Sequence, residues 1–255
     1  MFIQTDNFGS ADEFRFRIHK EGYSYPMHLH QYAELMLVLS GEIDVSVDGK
    51  RERAKEGDFI FIFPFQPHEY STPSYSDTFC AVFSPSMAAD FFEGARGRVG
   101  DGAVFSASPL ALSSFRELIG GGGGEYLPRA CLYLAIDDLK RQILLRPRRE
   151  NAHLAEKMIK YLDANACYDI ALADMAEELG YSENYLSHSI SSLFGMNFRT
   201  LLACFRVERA KRLLRLGNMS VIEIALECGF GNERTFDRAF KRITNQTPSA
   251  YAKKQ

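Results

Sequence analysis

One pattern is written twice in the last third of the sequence, and it restricts that third to paired helices. Met175, Ala176, Leu179, Gly180 and Tyr181 recur 49 residues later as Ile224, Ala225, Cys228, Gly229 and Phe230. Beyond the turn the offset is 50, pairing Leu186 with Phe236, Ile190 with Phe240, Gly195 with Asn245 and Phe198 with Pro248. One residue has been inserted in the turn.

Each copy reads as a helix, a tight turn and a second helix. Apolar residues at i, i+3 and i+4 set the first helix, a small Ala lets another helix cross closely, and Gly180 or Gly229 supplies a residue able to take positive φ at the helix end. Ser182 and Asn232 fit as N-caps of the second helices. A capped second helix after a glycine turn is the helix-turn-helix unit, whose second helix can enter a DNA major groove. A plain helical bundle is the competing reading, and two units in register argue against it.

The net charge of -3 hides an uneven distribution. Residues 195–255 hold 12 Lys and Arg against 5 Asp and Glu, whereas 151–194 hold 2 against 7 and 1–150 hold 16 against 21. Positive charge gathers around the second copy, where phosphates would be gripped. The first copy must bind with little help from charge. Five scattered cysteines without a C-x-x-C read as reduced structural thiols, and no apolar run approaches the roughly 20 residues of a membrane span, so a cytoplasmic protein is expected.

Residues 13–83 read as β structure. Segments 14–19, 34–49 and 57–63 are rich in β-branched and aromatic residues, with turns expected at Ser40-Gly41 and Asp48-Gly49, as in a barrel or jelly roll. Phe59, Phe61 and Phe63 share one strand face and suit core packing.

Gly22, His28, His30, Glu34 and Gly41 follow the spacing G-x5-H-x-H-x3-E-x6-G, and Gly57 precedes His68 by 11. This resembles the two cupin motifs, in which three His and one Glu project into a small β-barrel and bind a divalent metal. The second motif departs from that pattern at Pro64, Gln66 and Thr72. Imidazole with carboxylate suits Fe, Mn, Ni or Zn. The same four residues could instead line an effector pocket by hydrogen bonding, or belong to a solvated strand entry.

From Pro85 the periodicity becomes helical, with helices around 86–95 and 109–119, then five glycines at 120–124 that read as a mobile loop. Leu132, Ile136, Leu139 and Ile143 form a stripe that either packs on its own domain or makes a dimer seam. The domain plan is a barrel over 1–108, a helical dimerisation segment packed on the barrel over 109–146, a linker over 147–153 whose arginines could brush phosphate, and the duplicated unit over 154–255. The fold class is α+β in two domains.

Residues 154–252 resemble the DNA-binding domain of AraC-family transcriptional regulators. The second copy, RVERAKRLLRLGNMSVIEIALECGFGNERTFDRAFKRITNQTPSAY, carries the family's R-x2-x-A, I-A-x2-x-G-F, F-x-R-x-F-K and T-P-x-x-Y elements. The resemblance implies a ligand-responsive regulator and not an enzyme, with a cupin-like N-terminal domain that binds an effector, here guessed as a sugar or polar metabolite, and forms a homodimer on double-stranded DNA. Its base-facing positions fall on Asn184, Ser187 and His188, and on Glu233, Arg234, Asp237 and Arg238, with Lys241 and Arg242 placed for phosphate. Glu233 and Asp237 fit base reading and intrahelical pairing equally. Where the first copy would carry an Arg, an aromatic and a basic residue stand His188, Ile190 and Ser191. A metal-dependent cupin enzyme with a DNA-binding appendage is the alternative.

Overall fold

A computed structural model describes residues 2–3, 14–148 and 150–252. The chain forms two compact units, one of residues Phe8–Arg149 and one of Met1–Asn7 with Glu150–Gln255.

The strands are β1 (Phe2–Ile3), β2 (Arg15–His19), β3 (Tyr25–Leu29), β4 (Ala33–Val47), β5 (Lys50–Lys55), β6 (Asp58–Ile62), β7 (His68–Ser71) and β8 (Ser76–Phe83). A 3-10 turn at Pro85–Ala88 leads to α1 (Ala89–Gly94), then β9 (Arg98–Gly100), β10 (Val104–Ser106), α2 (Pro109–Ile119), α3 (Leu127–Gln142) and β11 (Leu145–Pro147).

The expected turn at Ser40-Gly41 is absent: β4 runs through it as one 15-residue strand. Its first half pairs with β6 and β8, its second half with β5 and β7, so one strand serves both walls of the barrel. The register with β8 shifts between Val38 and Ser40. An extra residue in a strand reverses which face the following side chains take. Accordingly Met36 and Val38 enter the barrel interior with Ile43, Val45 and Val47, even numbers before the bulge and odd after it. Gly41 is required there. Its φ is +76°, and a Cβ would lie 2.2 Å from the Tyr75 carbonyl oxygen.

On the other face of the first half-strand, Leu35 and Leu37 join Phe59, Phe61, Phe63, Phe79, Ala81 and Phe83 in a second core. Helices α2 and α3 cover it with Phe115, Leu132, Ile136 and Leu139. The stripe expected as a possible dimer seam is therefore used within its own unit: three of its four members are buried, and Ile143 packs at the edge. Segment 109–146 is continuous with the barrel unit at its end as well, since β11 pairs with β9. Two arginines at the expected boundary also serve this unit. Arg146 approaches Asp48 at 3.9 Å and Arg148 donates to the Pro64 carbonyl.

The second unit holds α4 (Glu150–Asn165), α5 (Leu172–Leu179), α6 (Glu183–Phe194), α7 (Phe198–Leu216), α8 (Val221–Glu227), α9 (Glu233–Thr244) and α10 (Pro248–Ala252). Its first helix begins at Glu150, four residues before the expected start, which shortens the linker. Helix α7 touches α4, α6, α8 and α9 and so joins the two copies. Arg206 of α7 donates to the carbonyls of Ala166 (2.7 Å) and Tyr168 (2.9 Å), and the buried Ala210 gives room for the second copy's core. These two side chains give the R-x2-x-A element its physical basis.

Candidate functional site

The barrel brings His28, His30, Glu34 and His68 together. His28 and His68 are directly opposed on β3 and β7 with ring centroids 4.0 Å apart, His30 follows β3, and Glu34 enters from β4 on the same side as Met36. All four are buried, and their ligand atoms lie within 4.8 Å of one another, the one such cluster among the described residues.

The outer nitrogen of each ring faces a backbone carbonyl: His28 Nδ1 that of Pro26 (3.0 Å), His30 Nδ1 that of Tyr32 (3.0 Å), His68 Nδ1 that of Gln66 (2.8 Å). A carbonyl can only accept, so Nδ1 carries the hydrogen and each Nε2 turns a lone pair inward. There His30 Nε2 lies 3.2 Å and His68 Nε2 3.7 Å from Glu34 Oε2. Lone pairs facing a carboxylate repel unless a cation or proton stands among them. His68 Nε2 is moreover buried without a hydrogen-bond partner.

Burial alone would push the Glu34 carboxyl up, but His30 and His68 outweigh it and hold the group well below the usual carboxylate range. Burial lowers His30, and burial with the neighbouring His68 lowers His28 to about 3. Carboxylate and neutral imidazole are the forms that bind a divalent metal. Four donor atoms this close suit one ion held at bonds of roughly 2.0–2.2 Å.

Two groups around the cluster escaped sequence reasoning. Tyr70 donates to Glu34 Oε1 at 2.7 Å, and burial with the Glu34 charge raises its hydroxyl well above the usual range. Its place two residues after His68 on one strand was an available signal. Cys80, opposite Met36 on β8, is raised by burial and by Glu34 and left no such trace. Gln66, at the departure from the second cupin motif, is buried and braces the turn: Oε1 accepts from the Phe63 amide and Nε2 donates to Asp48.

Chelator-treated protein should lose stability in the barrel as pH falls from about 6.5 toward 3. Unfolded His28 takes a proton near 6.5 that the folded ring refuses until about 3, so above 6.5 the group is neutral in both states and costs nothing. Each withheld proton makes the slope about 1.4 kcal/mol per pH unit. Urea midpoints at pH 7 and pH 5 measure it; equal midpoints contradict it.

In the second unit the repeat is reproduced in backbone geometry. Gly180 and Gly229 take φ of +73° and +80°, and Gly195 and Asn245 cap α6 and α9 at +67° and +58°. The Ser182 hydroxyl accepts from the Tyr185 amide at 3.3 Å and Asn232 Oδ1 from the Thr235 amide at 2.9 Å, so both expected caps form. Leu186, Ile190, Phe236 and Phe240 are fully buried.

Opposite them, Asn184, Ser187 and His188 on α6, and Glu233, Arg234, Asp237, Arg238, Lys241 and Arg242 on α9, are all exposed. Positions 234, 237, 238 and 241 share one helical face. Among the described residues none of the α9 set forms an ion pair, so Glu233 and Asp237 do not make the intrahelical pairs that competed with base reading.

Comparison with known proteins agrees with this geometry. A helix-turn-helix domain family matches residues 175–254, and a cupin domain family matches residues 14–82. An uncharacterised HTH-type transcriptional regulator of Staphylococcus aureus is 33% identical over 101 residues, 40% of this chain and 14% of that protein. The chain thus spans only a small part of the first such relatives. The HTH-type transcriptional activator RhaS of Salmonella arizonae is 24% identical over 243 residues, 88% of this chain and 86% of that protein. Among solved structures, apo ToxT from Vibrio cholerae has a TM-score of 0.63 at 14% identity, covering 97% of this chain and 98% of that one. ToxT bound to an unsaturated fatty acid gives 0.61 at 13%, covering 97% of each. At these identities the likeness is one of fold. The chain thus carries a cupin domain ahead of a helix-turn-helix domain, an order it shares in fold with ToxT.

Proposed function

We propose that the protein is a ligand-responsive transcription regulator that binds double-stranded DNA through both helix-turn-helix units. One observation carries this: both second helices bury their apolar stripe and present their polar face to solvent. On α9 that face holds Arg234, Arg238, Lys241 and Arg242. Arg can take guanine bidentately, Asn184 can read adenine, and Glu233 or Asp237 can accept from cytosine. Two units joined by α7 would read major grooves one turn apart, about 34 Å.

Selection of duplexes from a random pool with the full chain tests this. The enriched sequence should hold two short motifs spaced by about 10 base pairs, and Arg238→Ala should weaken binding by about 1–3 kcal/mol while relaxing one position. Failure to enrich any sequence would overturn the reading.

In the barrel, His28, His30, Glu34 and His68 would hold a divalent cation, which would tie β3, β4 and β7 together. No step of a reaction is assigned to it, and the relatives that match are regulators, which favours this reading over a metal-dependent enzyme. The effector, a sugar or polar metabolite, is proposed for the same N-terminal barrel, with His28, His30, Glu34 and His68 at its pocket. The fatty acid carried by ToxT adds an acyl carboxylate as a second class to test. Its binding would bias a two-state equilibrium that DNA also biases. A homodimer and a cytoplasmic setting complete the proposal; among the described residues no helix is long and apolar enough to cross a membrane.

A further inference from the structure

The two copies differ most where a cation lies over the turn aromatic. In the second copy Arg206 stands over the Phe230 ring at 5.7 Å, with Phe230 buried and Arg206 bound to two carbonyls. Forty-nine residues earlier, in the register of the repeat, Lys157 stands over the Tyr181 ring at 5.8 Å. Here the aromatic is exposed and stacks on Tyr185 of α6, with centroids 5.3 Å apart and planes at 21°. Thr235 occupies the place of Tyr185 in the second copy.

The second copy uses this position to pack, whereas the first leaves two phenol rings at the surface with the half-buried Lys157 beside them. Tyr181 is 36% and Tyr185 49% exposed, so the stacked pair is open to a partner. Tyr185 lies about 100° around α6 from Asn184 and about 60° from His188, on the flank of the base-facing surface and not at its centre. A flanking side chain meets the sugar-phosphate backbone when its helix is in the groove.

Charge points the same way. Helix α6 carries no Lys or Arg, and the only cations of residues 154–194 are Lys157 and Lys160. Lys160 is held by Glu156 at 2.7 Å, whereas Lys157 forms no ion pair among the described residues.

We propose that Lys157, Tyr181 and Tyr185 form the first unit's contact with the DNA backbone, the ammonium and phenol hydroxyls donating to phosphate oxygens. The cluster replaces the basic residues that the first recognition helix lacks. This rests on the reading of the chain as a duplex-DNA binder.

The test uses the full chain and a duplex enriched by the wild-type protein, with affinity measured by fluorescence anisotropy between 50 and 300 mM KCl on the order of physiological salt. Lys157→Gln should reduce the magnitude of the slope of log K against log salt by about 0.9 and weaken binding about 5- to 10-fold, and Lys157→Arg should restore both. Tyr185→Phe, which keeps the stacked ring, should weaken binding several-fold with the slope unchanged. Lys160→Gln should leave the slope within error of wild type. Wild-type affinity and slope in Lys157→Gln and Tyr185→Phe, with binding weakened in Arg238→Ala, would overturn this contact while leaving DNA recognition intact. Equal slope changes in Lys157→Gln and Lys160→Gln would also overturn it, since they would report a general field. If the wild-type chain enriches no duplex, both readings fall together.

Discussion

Gly229→Ala should destabilise the helix-turn-helix unit by about 3 kcal/mol or more, whereas Gly180→Ala, at the equivalent position of the repeat, should cost about 1 kcal/mol. Both glycines have positive φ, +80° and +73°, so both substitutions incur the backbone strain of a left-handed residue. Only one meets an obstacle. A Cβ on Gly229 would lie 2.6 Å from the Cys167 carbonyl oxygen and 3.1 Å from that of Ala166, while one on Gly180 would find nothing within 4 Å. The obstructing segment cannot easily yield, because Arg206 holds the carbonyls of Ala166 and Tyr168. Denaturant titration of the two variants, following the helical signal, measures the difference. Equal costs would mean that the loop after α4 gives way, and the explanation of Gly229 by close approach would be wrong.

Glu34→Gln should abolish stoichiometric metal binding, with an affinity loss of at least about 100-fold, because it removes the only anionic donor of the cluster. The same change should remove the increase in thermal midpoint expected when metal is added to the wild-type protein. That increase corresponds to about 2.7 kcal/mol at a free metal concentration 100 times Kd. The amide retains the size of the side chain, so a collapsed barrel is not the expected outcome. Elemental analysis of the purified variant and thermal unfolding with and without zinc or manganese provide the readings. Should the wild-type midpoint ignore both chelator and added metal, the four side chains are a buried polar network and no metal centre.

Sequence periodicity was a good guide where the determining contacts are local. Gly180, Gly229, Ser182 and Asn232 reveal their roles because a cap and a left-handed turn are made by residues three or four apart. The separation of Phe236 and Phe240 from Arg234 and Arg238 follows from the pitch of one helix. The metal candidates were legible too, as His28 and His30 alternate along a strand and Glu34 follows at fixed spacing. The same local logic failed at Ser40-Gly41, which has turn residues but forms a bulge. The choice there is made by β5, β6, β7 and β8, all of which pair with β4.

By itself, then, the sequence determined the helix pairs, their caps and their buried stripes, since each is a matter of spacing along one chain segment, and it singled out His28, His30, Glu34 and His68 as a candidate cluster. Only the tertiary structure decided that Leu132, Ile136 and Leu139 close a core of their own unit, that Tyr70 completes the surroundings of Glu34, and that Lys157 stands over Tyr181 as Arg206 does over Phe230. Those outcomes depend on which elements meet across long stretches of chain, and a contact of that kind leaves no period in the sequence.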